Sequence, residues 1–533
     1  MGETINLNIF YNIYFVSAFT SLAIIYFFLG IFFGLDFTDT FFHLNQAHIP
    51  PDGIMLYPIL LSSIIIKGLI EVFGQQILYL RFINAAIYII ALLVPFFFIK
   101  TRSSTINTVF YIGCVLFLVA PLNANVLGYD SFTILINSLI FTISIVYLEK
   151  RNHYVLVILA FLCSISILIR LPNAIVLPIL MLVIFYQQKL HSSKFHPKQL
   201  KLPFLFLFLS LLGVFLSYFL YYKEWNVFRN ASMGTISHNL EWLFYKYFLD
   251  GIKLLIFSTF ITGSYFLFKK IYDYYGRYLA YGIIGSLYAA FMLLFLLRYS
   301  YPIFLTALIL SIIVIHLYTE RGKNKISDIL ILGMFFSFLF INAIGSNLGL
   351  LKTSFLFLLL PFVLSVVSVR SINYWKFILL ILIPLSVFLK FHRTYEGQNI
   401  FSLNRTLNIE LLHTIKTSEE RFIFLNKVDQ KVKQLQDNNV SVFFYGNKSH
   451  IFHYLYPNTT LEIKAIDQPM ENLIFFPKIE EKIRDKGKVA VFLIPSYPGS
   501  PENIENAVEA KLIISGFKKF QDGSVDFFLK QEN

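Results

Sequence analysis

The chain has 533 residues, 57% of them hydrophobic and only 14% charged, and its mean hydropathy is +0.67. Soluble domains run near about 45–50% apolar and about 25% charged, so a water-soluble globule is excluded, and disordered and collagen-like chains with it. The net charge of +13 would favour nucleic acid in a soluble protein. In a membrane chain basic residues first set topology, and no nucleic-acid partner is expected.

The elements begin with an apolar run at 9–33. Met1 to Asn8 carries no basic region, so this run is expected to act as its own membrane signal rather than to be cleaved. Further runs follow at 76–99, 106–123, 131–148, 154–169, 173–186, 202–222, 253–268, 278–297, 302–318, 328–344, 354–369 and 377–391. About 13 membrane helices are therefore predicted, each needing roughly 20 apolar residues. Cys114 and Cys163 both fall inside these runs and imply no disulfide framework.

The connections alternate in character. One set is short and basic, with Lys100 and Arg102, Lys150 and Arg151, Lys189 to Lys201, Lys269 to Arg277, Arg321 to Lys325, and Arg370 with Lys376. The positive-inside rule assigns it to the cytoplasm, with the amino terminus. The expected location is a plasma (inner) membrane, with everything after residue 391 extracytoplasmic. The other set holds the longer segments 34–75, 124–130, 223–252 and 345–353. Segment 223–252 mixes Trp225, Trp242, Tyr245 and Tyr247 with Lys223, Arg229 and Lys246, a composition suited to an interfacial helix.

Composition shifts near residue 392. Residues 392–418 read as a linker and 419–533 as a small α/β domain. That domain is expected to hold a helix at 419–437 and strands at 440–445, 461–466 and 488–494. A turn-rich 495–501, a helix to about Lys511, and a hairpin of 512–520 with 524–529 around Asp522 and Gly523 complete it. It has no Gly-rich nucleotide loop.

Ionisable residues at membrane depth cost about 2.5–3.5 kcal/mol each and tend to be kept for a purpose. Asp36, Asp39, Arg81, Asp130, Arg170, Arg298 and Lys352 all fall at the predicted outer rim. Asp36 and Asp39 share a helix face if the first span runs on one more turn. A carboxylate there can serve as a general base, hold a divalent cation through its oxygens, or simply cap the helix end. Arg81 suits a phosphate or snorkels to headgroups. Gly345 to Lys352, with Asn347 and Gly349 inside it, is an irregular turn whose amides and lysine could hold a phosphate; a plain interhelix turn is the alternative. Asp130 is expected to orient a neighbour. His43 is a supporting polar group, since no zinc spacing accompanies the histidines.

An acid after the first span, an interfacial helix opening at Tyr57 and Pro58, the Phe73-Gly74 break, and Arg81 entering the second span form an ordered set. With Asn125 to Asp130 and Ile169 to Asn173, they resemble the GT-C membrane glycosyltransferases, most closely the protein O-mannosyltransferases and lipid A aminoarabinose transferases. The resemblance covers about residues 9–186. It implies an all-α polytopic domain over 1–391 with an outer cavity, and a donor sugar carried on a polyprenyl phosphate. Asp39 takes the position of the base for the acceptor hydroxyl, with Asp36 as second acid. Where the family often has Asp-Glu the chain has Asp39-Thr40, and Tyr57-Pro58 replaces its Lys before Pro-Pro. Donor-phosphate binding then falls to Arg81, Arg298 and Lys352, supported by His43, Asp130, Arg170 and Asn347. The expected activity is transfer of a sugar to an extracytoplasmic lipid, glycan or protein acceptor, with inversion and no certain cofactor. A transporter or flippase of lipid-linked precursors, a non-catalytic envelope scaffold, and another enzyme of envelope polysaccharides are the alternatives.

Overall fold

The computed structural model describes residues 12–37, 39–45, 59–100, 103–119, 127–189, 197–223, 240–295, 301–319, 326–344, 349–366, 372–392, 399–445, 449–457, 488–494, 502–522 and 525–530. The helices are α1 (Ile13–Leu29), α2 (Asp39–Asn45), α3 (Leu60–Phe73), α4 (Ile77–Phe98), α5 (Thr105–Val119), α6 (Tyr129–Lys150), α7 (His153–Ile169), α8 (Val176–Lys189) and α9 (Lys201–Tyr222). Then come α10 (Leu240–Tyr275), α11 (Arg277–Phe295), α12 (Tyr301–Thr319), α13 (Ile326–Leu339), a 3₁₀ stretch (Gly349–Leu359), α14 (Leu360–Val366) and α15 (Ile372–His392). Every predicted apolar segment falls on one of them. Among the described residues, nine helices are long and apolar enough to cross a membrane, and three shorter apolar helices accompany them. The chain is a membrane-embedded, mainly helical protein.

Local chemistry sets the breaks. Asn12 and Asn152 cap α1 and α7 by accepting the amides of Tyr14 (2.9 Å) and Tyr154 (2.8 Å). Gly74, at φ +86, ends α3 where the Phe73-Gly74 break is predicted. Pro361 near the start of α14 has no amide hydrogen, which fits a span that opens as 3₁₀ and only then becomes α-helical. Two expectations need correction. Residues 240–252, read as part of an interfacial helix apart from the span at 253–268, belong with it to the continuous 36-residue α10, which no proline interrupts. The Gly-rich turn at 345–353 is helical from Gly349 onward.

Contacts between helix ends fix which ends lie together. Lys390 near the end of α15 donates to the carbonyls of Phe117 (3.1 Å) and Leu118 (2.8 Å) at the end of α5. At the opposite end of the bundle, Lys376 near the start of α15 donates to Asn107 Oδ1 at the start of α5 (2.7 Å). Beyond residue 404 lie β1 (Arg405–Thr406), β2 (Lys416–Thr417), α16 (Glu419–Asp437), β3 (Ser441–Tyr445), α17 (His450–Leu455), β4 (Val489–Leu493), α18 (Glu502–Ile514), β5 (Lys518–Asp522) and β6 (Val525–Lys530).

The sheet order is β3-β4-β6-β5, with β3 parallel to β4 and the remaining pairs antiparallel. Asp522 pairs with Val525, as the hairpin signal predicts. Leu512 to Ile514, however, complete α18 rather than open a strand, because the reversal comes at Gly516 with φ +87. The predicted strand 461–466 and turn 495–501 lie outside the described residues. The described part of the predicted linker, from Asn399 onward, is structured: Leu407, Leu412 and Ile415 are fully buried and join the core of the bundle, and Gly34 donates its amide to Lys416 O (2.8 Å).

Candidate functional site

Gly34, at φ +75, turns the chain out of α1. Arg81 fixes that turn. It is 1% exposed, and its guanidinium donates to Ile31 O at 2.9 Å and Gly34 O at 2.8 Å. The sequence offers this arginine as a phosphate contact; here two of its donors hold backbone carbonyls. The carboxylate of Asp36, itself 1% exposed, accepts the amide of Thr40 at 2.8 Å and so secures the start of α2. The reading of Asp36 as a helix cap is thus realised, although at a new helix rather than at an extension of α1. The backbone of Asp39 opens α2. The side chain of Asp39, and Arg298 and Asn347 altogether, lie outside the described residues.

Four of the remaining sequence candidates converge on one ring that the sequence does not single out, Tyr129. The ring of His43 on α2 stands edge-on to it, 4.6 Å between centroids and 86° between planes. The Arg170 guanidinium lies 5.3 Å and Lys352 Nζ 5.4 Å from its centroid, within cation–π reach. Lys352 Nζ pairs with Asp130 Oδ2 at 2.7 Å, the two side chains being 12% and 18% exposed. This pair spans 222 residues of sequence and joins the start of α6 to the 3₁₀ stretch. Asp130 Oδ1 is buried with no hydrogen-bond donor among the described residues. Gly128 allows the close approach: a Cβ there would stand 2.7 Å from His43 Cδ2.

Arg170, at the end of α7, donates to Ile341 O (3.4 Å), Asn342 O (3.2 Å) and Ile344 O (2.8 Å), and the Tyr247 hydroxyl donates to Ala343 O. The backbone leading into the Gly345–Gly349 segment is thereby held from two sides. Lys246 and the buried Asp250 of α10 stand beside Gly349, where a Cβ would lie 3.1 Å from Asp250 Oδ2. Aromatic character just before an acid at a helix start was the only sequence signal for Tyr129. Lys246 is visible in the sequence only as an interfacial lysine.

The C-terminal domain covers this end of the bundle. Arg421 of α16 donates to Leu35 O and lies 4.9 Å over the Phe37 ring. On α17, His450 O accepts from Asn45 Nδ2 (2.8 Å), Tyr454 packs on Phe41 (5.5 Å), and the Tyr454 hydroxyl donates to Gln75 O (2.6 Å). Burial pushes the His450 imidazole down to about 4, helped by the charge of His43. Beside α16 an open cleft of about 720 Å³ is lined by Asn399, Phe401, Asn404, Glu419, Glu420 and Ile423. Among the described residues, no three His, Cys, Asp or Glu side chains are grouped closely enough to hold a metal ion.

The arrangement offers a carboxylate-bearing helix over a basic, aromatic-lined cluster at one end of a membrane bundle. Chemically it can retain an anion beside Lys352 and Arg170 and accept a hydrogen bond from a hydroxyl at Asp130 Oδ1. No protein-family model matches the chain. No curated protein matches it significantly either.

Proposed function

We propose that the chain is an integral membrane glycosyltransferase of the GT-C kind, moving a sugar from a polyprenyl-phosphate donor to an acceptor at the α2 end of the bundle. The observation that carries the reading is the gathering of His43, Tyr129, Asp130, Arg170 and Lys352 directly under the helix that begins with Asp39. Transfer from a phosphate-linked sugar needs a base for the acceptor hydroxyl and a cation for the departing phosphate. Asp39 is assigned the first role. Lys352 is assigned the second, with Asp130 orienting it and Arg170 adding positive potential. Arg81 and Asp36 become positioning residues, because they hold the turn and the helix start on which Asp39 stands.

The basic connections favour the orientation in which this end faces away from the cytoplasm, with the C-terminal domain extracytoplasmic. The open cleft, combining amides, carboxylates and the 76%-exposed Phe401 ring, suits a polyhydroxylated acceptor.

The test is transfer of radiolabelled sugar from polyprenyl-phosphate hexoses and pentoses to envelope extracts by the purified protein in lipid nanodiscs. Asp39→Asn should reduce kcat by about 10²-fold or more, the scale of general-base catalysis, while donor binding persists. Undiminished turnover in that variant removes Asp39 from the mechanism. Absence of transfer by the wild-type protein from every such donor removes the glycosyltransferase reading.

A further inference from the structure

A seam of histidines joins the C-terminal domain to the helix that covers the Tyr129 cluster. His43 projects from α2 onto Tyr129. His450, 2% exposed, meets the neighbouring Phe42 ring at 5.7 Å and is tied to α2 through its carbonyl and Asn45. His453 lies on the same short helix, edge-on to Phe444 at 6.3 Å. Neither His450 nor His453 has a hydrogen-bond partner at Nδ1 among the described residues.

The charged and titratable groups around the seam come from every element packed on it. From the bundle they are Tyr129, Asp130, Arg170 and Lys352, with Asp130 already engaged by Lys352. From α16 they are Arg421, which binds Leu35 O, and Asp429, which accepts from the Tyr456 hydroxyl at 2.5 Å and pairs with Lys433 at 2.7 Å. From α17 itself there is Tyr454, which donates to Gln75 O. Among the acids near the seam, Asp130 and Asp429 have cationic or hydroxyl partners and Asp36, before α2, accepts the Thr40 amide, whereas an added proton on His450 meets the His43 side first.

We propose that the seam between α2 and α17 is a proton-operated latch: protonation of His450 releases α17 from α2 and frees α2, the helix over the Tyr129 cluster, to move. The proton comes from solvent on that side of the membrane and returns to it when the pH rises; no bond other than N–H is made or broken. The closed seam requires neutral His450, because burial and then electrostatic repulsion from His43 hold its imidazole near 4. Burial, then His450, push His453 in the same direction. Once α17 is free, His450 regains the ordinary value of about 6.5. Linkage between those two values multiplies the open fraction on the order of 10²-fold between neutral pH and pH 4.5. The latch does not depend on the glycosyltransferase reading, and it is tested without any substrate.

The experiment is hydrogen–deuterium exchange of the full chain in lipid nanodiscs at pH 7.5 and 4.5, corrected for intrinsic exchange rates. In the wild type, protection of 39–45 and 450–455 should fall at least tenfold at pH 4.5 while that of 129–150 holds. His450→Gln should bring the pH effect below twofold. His43→Gln, which keeps His450, should move the midpoint of opening to lower pH, because protonated His450 is then less disfavoured in the closed seam, a shift that a purely packing role would not produce. Three results overturn the latch: equal protection of both segments at the two pH values, loss of α6 protection in parallel with theirs, or an unchanged midpoint in His43→Gln.

Discussion

Replacing Lys352 with Met removes one half of the ion pair at the centre of the cluster. The pair is 2.7 Å long and its side chains are 12% and 18% exposed, so it is largely but not wholly withdrawn from water. Deleting one partner of a fully buried pair costs about 3–5 kcal/mol, chiefly because the surviving charge loses its compensation. The residual exposure here admits some screening and Arg170 remains nearby, which reduces the expected loss to about 2–3 kcal/mol. Asp130 Oδ1 already lacks a donor, so the carboxylate cannot be rescued by a bond it holds in reserve. The double variant Asp130→Asn/Lys352→Met leaves no orphaned charge and should recover to within about 1 kcal/mol of the wild type. Cys114 and Cys163 are free and buried, so a thiol-reactive dye reports unfolding without added labels. At one fixed scan rate the single variant should melt about 4–12 °C lower, taking about 2–4 °C per kcal/mol for a large cooperative unit. A single variant that melts with the wild type, or a double variant no better than Lys352→Met, would refute the view that the pair compensates Asp130.

Arg81→Lys should destabilise by about 1–3 kcal/mol in the same dye assay, because a single ammonium cannot span Ile31 O and Gly34 O as the guanidinium fork does. Its affinity for a polyprenyl phosphate should stay at the wild-type value; a phosphate contact at Arg81 would instead weaken it. Stability should also depend on pH through His450. Its folded value of about 4 lies below the ordinary value of about 6.5, so between these limits the unfolded chain binds more protons and acid favours unfolding. The contribution is complete above about pH 6.5 and is lost as the pH falls to about 4. It amounts to about 2–3 kcal/mol, and dye-monitored melting at pH 4.5 and 7.5 checks it against His450→Gln.

The bundle was legible in the sequence because membrane helices announce themselves through length and apolarity, which are local quantities. The hairpin at Asp522 and the helix at 419–437 were legible for the same reason: turn chemistry and amphipathic period need no distant partner. The site was legible only in part. That Asp130, Arg170 and Lys352 belong to one end of the bundle follows from alternation of the connections, yet their meeting at Tyr129 depends on packing between α6, α7 and the 3₁₀ stretch. His450 reaches α2 from more than 400 residues away and no spacing rule links it to Asn45. Arg81 illustrates the converse limit. A cation at a helix start suggested an anionic ligand, and two of its donors here hold carbonyls, which every residue carries and no sequence pattern distinguishes.

Those carbonyl partners bear on the electrostatics of the whole rim. Arg81 holds the carbonyls just beyond α1, Arg170 those just beyond α13, and Lys390 the last carbonyls of α5. Each cation thus sits at a helix C-terminus, where the macrodipole presents roughly half a negative charge. Such a partner satisfies the hydrogen-bond donors and makes burial tolerable, but it offsets only about half of a full positive charge. Pairing with carboxylates would have cancelled the charge outright, as Asp130 does for Lys352. A cation held in this way keeps part of its charge uncompensated at the edge of the hydrocarbon, where low dielectric lengthens its reach. A neutral solute gains nothing from that field. An anionic headgroup on a membrane-bound carrier does, and it arrives along the surface on which the field acts.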